Sequence, residues 1–217
     1  MTSCVRSAVV FSLLCPPLSL ANAGTIGGQV VDGAGRPMEG VMVSAFDDEH
    51  QVSTSVFTQV DGSFAIHDLR DGDYNLRARL LGQLDDWQDD VSLGTRDLSI
   101  SMMPANGEDL EDQRPGNSAF GMLAFDNAED KQNFKMMCSY CHQIGTIGFR
   151  TPEKPVDWET MIRRMDGFGG LYRHTQETIV QRLVDTYSED AVGQWPAYVP
   201  PSAPTGLATK ARITEWD

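Results

Sequence analysis

The chain has 217 residues, of which 41% are hydrophobic, and carries 17 Lys plus Arg against 31 Asp plus Glu, a net charge of −14. This length suits one large domain or two small ones. The acidic balance disfavours nucleic acid and anionic membrane as partners and matches a cationic one.

Residues 1–23, MTSCVRSAVVFSLLCPPLSLANA, join one positive charge at Arg6 to a short apolar run and a small-x-small end at Ala21 and Ala23. The pattern predicts a secretory signal cleaved after Ala23, and hence export to the periplasm. A transmembrane anchor is disfavoured because Pro16 and Pro17 break the run, and nothing later approaches ~20 consecutive apolar residues. Cys15 does not read as a lipoprotein site, because Leu14 stands where a small residue is needed. Cleavage removes Arg6, Cys4 and Cys15, leaving a charge of −15 and two cysteines, Cys138 and Cys141. Two thiols so close together form no disulfide framework, so each domain must be held by its core or by a cofactor.

From Gly24 to about Met103 the pattern is strand and turn. YNLRARL alternates Tyr74, Leu76, Ala78 and Leu80 with Asn75, Arg77 and Arg79, the period that buries one face of a strand. Similar runs occur at 26–31, 41–46, 52–58, 63–66, 87–91 and 98–102, separated by DGAGRP, DDEH, VDGS, RDGD and LGT. Seven short strands at this spacing predict a β-sandwich over residues 24–103. GGQVVDGAGRPMEGVMVSAF followed by TQVDGSFAIHDLRDGDYNLRARL resembles the carboxypeptidase regulatory-like, transthyretin-like domain. That resemblance implies an accessory module of an exported protein and assigns no catalytic residue. His50 and His67 lack ligand-like spacing and read as surface residues.

Residues 104–118, PANGEDLEDQRPGNS, are polar, acidic and rich in breakers, as in a solvated linker; a docking patch is the alternative for Glu108, Asp109, Glu111 and Asp112. The period then turns helical. DNAEDKQNFKMM opens with Asp126 as a candidate N-cap, WETMIRRM follows Asp157 as a cap, and QETIVQRLVDTY follows Thr175. Ile179, Val180, Leu183 and Tyr187 give the last helix one apolar face. Three helices in about 75 residues, 119–193, supply little core of their own.

CSYCH, residues 138–142, explains what fills the middle. Zinc needs four ligands, and no second cysteine pair exists. A thioredoxin-like dithiol sits in a βαβ context, whereas these cysteines end a helix. The motif matches covalent haem c attachment: Cys138 and Cys141 form thioethers with the vinyl groups, and His142 is the proximal iron ligand.

With WETMIRRM, the Gly-rich turn DGFGG and ETIVQRL, the segment from Phe120 to Tyr187 resembles a class I monohaem cytochrome c. The resemblance implies an all-α domain in which the first and last helices cross, setting Phe134 against Leu183 and Tyr187. The distal ligand has three candidates, Met161, Met165 and His174, and the resemblance favours Met165. Met161 also reads as core, and His174 as a surface residue. RTPEKP is the expected source of a hydrogen bond to His142. Arg150 and Lys154 read either as propionate partners or as solvated charges, and Trp158 as core or as an electron conduit.

The tail, 194–217, has four prolines and little periodicity, as in an extended arm. No acid, base or nucleophile constellation is evident, so the expectation is not an enzyme but a periplasmic one-electron carrier. Its partner would be a redox protein with a basic docking patch. The alternatives are a haem subunit held on a dehydrogenase or oxidase by the sandwich and tail, and a haem-based ligand sensor with an open sixth position.

Overall fold

A computed structural model describes residues 24–47, 49, 51–140, 143–145, 158–169 and 173–216. Residues 1–23, His50, Cys141, His142, the RTPEKP stretch with Arg150 and Lys154, and Asp157 lie outside the described residues. So do the side chains of residues 173–176, His174 and Thr175 included.

All seven expected strands form: β1 (Gly24–Asp32), β2 (Met42–Asp47), β3 (Val52–Phe57), β4 (Ser63–Leu69), β5 (Asp73–Arg79), β6 (Asp86–Ser92) and β7 (Leu98–Met102). An eighth, β8 (Arg212–Trp216), comes from the tail. One sheet has the order β4-β1-β7 and the other β6-β5-β2-β3-β8. Pairing is antiparallel throughout except between β1 and β7. The alternation read in β5 holds: Tyr74, Leu76 and Ala78 are buried, and they share one core with Ile26, Val30, Val43 and Ile100.

Two turns show why the sequence closes this way. At Gly62 φ is +75°, and a Cβ would lie 2.5 Å from the Val30 carbonyl oxygen, so the DGS turn requires glycine. Asp61 completes it by accepting from the Ser63 hydroxyl and amide, which hold its carboxyl below the usual carboxylate range. The Tyr74 hydroxyl donates to the Arg70 carbonyl at 2.9 Å, so the core aromatic keeps its polar end satisfied. Thr58, fully buried, accepts from the Val41 amide at 2.9 Å and donates to the Met38 carbonyl at 2.6 Å. Thr58→Val should therefore cost about 1–3 kcal/mol, since it strands both backbone groups without water; urea unfolding of the two proteins checks this.

The stretch expected as a solvated linker holds two short helices, α1 (Gly107–Asp112) and α2 (Gly116–Gly121). Its side chains explain why it does not hang free. The Gln113 amide accepts from the Gly82 amide and donates to the Gln83 carbonyl, each at 2.7 Å, which binds the segment to the sandwich. Arg114 is only 5% exposed. Its guanidinium pairs with Glu111, donates to the Pro196 carbonyl at 2.7 Å, and lies over the Trp195 and Tyr198 rings at 5.5 and 5.4 Å. A charge buried this way is tolerable because it is paired, hydrogen-bonded and stacked. The solvated reading survives for Glu108, Asp109 and Asp112, which are exposed.

Three longer helices follow in the described residues: α3 (Ala128–Cys138), α4 (Trp158–Gly169) and α5 (Arg173–Tyr187), with a short α6 (Glu189–Val192) behind them. The cap of α3 is Asn127, whose side chain accepts from the Asp130 amide at 2.8 Å. Asp126, the expected cap, instead pairs with Arg182 at 2.9 Å. DGFGG, expected as a turn, continues α4 through Gly169, and α5 starts two residues before Thr175.

The tail is extended but not a free arm. Gly40, at φ +80°, lets the Pro204 carbonyl approach to where a Cβ would lie only 2.2 Å away. The Glu39 carboxylate accepts from the Gly206 amide at 2.9 Å, and a 3-10 turn (Gly206–Lys210) then delivers β8 to the open edge of β3.

Candidate functional site

The residues around the cysteine motif converge on a second apolar cluster, separate from the sandwich core. Ala119, Leu123, Phe134, Ile144, Trp158, Ile162, Ile179, Leu183 and Tyr187 are its buried members. Helix α5 contributes the face read from its periodicity, with Ile179, Leu183 and Tyr187 at 3%, 1% and 0% exposure. The Tyr187 hydroxyl donates to the Ala119 carbonyl at 3.2 Å, fixing the helix end to α2. Its ring meets Trp158 at 6.2 Å and Trp195 at 5.7 Å.

Phe134 belongs to this cluster together with Leu183 and Tyr187, but its ring neighbours are Phe120 at 6.0 Å and Phe125 at 5.3 Å. The aromatic residues just before α3 thus pack on Phe134 within the same cluster as Leu183 and Tyr187. Arg182 secures that corner by donating to the Ala124 carbonyl at 2.6 Å while lying 5.0 Å from the Phe125 ring centroid.

Cys138 ends α3, half-buried, with its side chain packed against the cluster beside Met137 and Met161. Burial pushes its thiol up to about 11, so the sulfur in the bare chain is a protonated, apolar group at neutral pH. On α4, Trp158, Met161, Ile162 and Met165 fall at spacings of three and four and therefore share one stripe of the helix. Trp158 and Ile162 are buried and Met161 packs on the cluster; Met165, one turn farther along, is half-buried beyond those packed residues. Trp158 is thus a core residue.

Two observations bear on whether these groups suit a haem. A half-buried cysteine faces an apolar, aromatic-rich cluster. Two thioether sulfurs lie on the helical stripe that supplies that cluster. The rest of the motif, Cys141 and His142, lies outside the described residues. A thioether-linked macrocycle requires this kind of soft, apolar wall, and a methionine approaching from a different helix is a suitable distal donor. Among the described residues no three His, Cys, Asp or Glu side chains converge as a metal site. Nor, among them, is any helix long and apolar enough to cross a membrane.

Sequence reasoning missed Arg114, Trp195 and Tyr198, which join the linker to the tail. A lone basic residue in an acidic run, with aromatics in a proline-rich tail, was the available signal.

Residues 25–102 match the carboxypeptidase regulatory-like domain family; the match leaves the helical region and tail outside it. No curated protein matches the chain. Among solved structures, a type II cohesin–X-dockerin complex from Acetivibrio cellulolyticus is 20% identical over 37% of this chain and 58% of its own, with a TM-score of 0.32. A minor pilin of Streptococcus agalactiae is 15% identical over 40% and 47%, with a TM-score of 0.33. The 3-chlorocatechol 1,2-dioxygenase of Rhodococcus opacus is 10% identical over 42% and 63%, with a TM-score of 0.30. In each, this chain spans less than two thirds of the matched chain's length.

Proposed function

We propose that the protein is an exported c-type cytochrome that carries single electrons, with the carboxypeptidase regulatory-like domain as its accessory module. The observation that carries this reading is CSYCH at the end of a helix whose first cysteine faces an apolar cluster flanked by two methionines. Cys138 and Cys141 would hold the haem covalently, and His142 and Met165 would bind its iron. The bound haem supplies an iron that exchanges one electron at a time, at a comparatively high potential for His/Met ligation.

The chain's own part is binding, orientation and exclusion of water. Helix α3 delivers Cys138 to the cluster, α4 presents Met161 and Met165 along one stripe, and α5 backs both with Leu183 and Tyr187. Gln113 ties the segment that precedes this region to Gly82 and Gln83, and Arg114 ties it to Pro196 of the tail.

Carrier and permanently held subunit differ in their response to salt. With about −15 charges on the mature chain, encounter with a basic redox protein is steered electrostatically. Screening sets in over a Debye length of ~10 Å at 0.1 M, so the second-order rate of electron exchange should fall steeply as salt rises through that range. Stopped-flow measurement against ionic strength checks it. A rate that stays flat favours the alternative of a subunit packed on a dehydrogenase or oxidase, since apolar burial is not screened.

A further inference from the structure

We infer that Gly145, seated on helix α2, clamps the C-terminal side of the CSYCH loop and is a positioning residue for His142; the inference rests on the haem attachment proposed above. On its N-terminal side the loop leaves α3, whose last turn closes with the Ser139 amide donating to the Lys135 carbonyl at 2.9 Å. The other side is held by a helix from the stretch expected to be a linker.

Ile144 is buried in the helical cluster at 8% exposure, and Gly145 follows it at φ +81°. A Cβ at Gly145 would collide with the Gly116 carbonyl oxygen, and it would lie 3.0 Å from the Phe120 amide nitrogen and 3.2 Å from the Ala119 methyl. Backbone therefore sits directly on backbone, in a left-handed conformation that residues with a Cβ rarely adopt. Three peptide steps reach at most about 11 Å, so a seated Gly145 confines the backbone of His142. The groups behind a ligating histidine set its orientation. Here that support is a steric seat.

Helix α2 has anchors of its own. The Tyr187 hydroxyl donates to the Ala119 carbonyl at 3.2 Å. Just before the helix, the Arg114 guanidinium donates to the Pro196 carbonyl at 2.7 Å. Gly121, in the same helix, is the contrast to Gly145, because no atom lies within 4 Å of the place its Cβ would take.

The test compares Gly145→Ala with Gly121→Ala in the haem-loaded, full-length mature protein. It uses equilibrium redox titration and the haem methyl proton shifts of the ferric form, which follow the orientation of the bound imidazole. Gly145→Ala should keep its covalent haem, change the methyl pattern and raise the potential, because the imidazole is the donor that favours ferric iron and loosening it favours ferrous. The rise should be roughly tenfold in the electron-exchange equilibrium, about 59 mV for a one-electron couple. Its sign is opposite to that expected for Met165→Ala. Gly121→Ala should match the wild type. If Gly145→Ala does not fold or load haem, Ala119→Gly decides: it inserts nothing and only removes the methyl under the seat, and it should give a smaller shift of the same sign. The clamp is overturned if haem-loaded Gly145→Ala keeps the wild-type potential and methyl pattern, or if Gly121→Ala changes them equally. A fall in potential also overturns it, since that is the sign of water entry and not of a loosened imidazole. A wild-type chain without covalent haem overturns the clamp together with the reading it rests on.

Discussion

Replacing Cys138 and Cys141 together by alanine should abolish covalent haem and unfold the helical region while the sandwich stays folded. The two cores are unequal. The sandwich buries Ile26, Val30, Val41, Val43, Ile66, Leu76, Ile100 and Met102 at 1% exposure or less, in one cluster built from both sheets. Among the described residues the helical cluster has only Ala119, Leu183 and Tyr187 at that level and draws much of its remainder from half-buried residues such as Met137, Met161 and Trp195. On the proposed reading the haem adds the apolar body that a core this small needs. Far-UV circular dichroism should lose helical signal, and hydrogen exchange should become fast in α3, α4 and α5 but remain slow in β1, β2 and β5. A variant without haem whose helices stay fully protected would show that the cluster is self-sufficient.

Met165→Ala should shift the ferric iron toward high spin and lower its potential, because a thioether favours ferrous iron and its loss leaves water or an open position. Met161→Ala is the informative companion. Met161 already packs on the cluster, so its truncation should lower stability by about 2 kcal/mol or more yet leave the spectrum of a His/Met centre intact. If the spectral change follows Met161 instead, the ligand is one turn earlier on α4. An unchanged spectrum in both variants moves the assignment to His174.

The parts of the fold that were legible in the sequence are those decided locally. Alternation in YNLRARL, the DGS turn and the Ile179-Leu183-Tyr187 spacing each follow from backbone geometry within a few residues. What escaped depends on partners far along the chain. RITEW becomes a strand because β3 offers an open edge some 160 residues earlier, and the pentapeptide itself buries little. Arg114 is buried because Trp195, Pro196 and Tyr198 come back over it, which no window around residue 114 contains. DGFGG illustrates the opposite failure, in which three glycines suggested a turn while the helix ran on to Gly169. The proposed haem attachment rests on five consecutive residues, of which Cys141 and His142 lie outside the described ones. The proposed distal partner depends on more, because Met161 and Met165 share one stripe and differ only in how far they lie from the cluster.

Intact mass spectrometry of the protein purified from an exporting bacterial host with its haem-attachment machinery tests the central proposal most directly. The expected species is the polypeptide beginning at Gly24 plus one haem that survives acid extraction, with absorption of a low-spin c-type centre. A mature polypeptide of unmodified mass, or one that gives up its haem to acid, would contradict covalent attachment at Cys138 and Cys141 and with it the reading of this protein as a cytochrome.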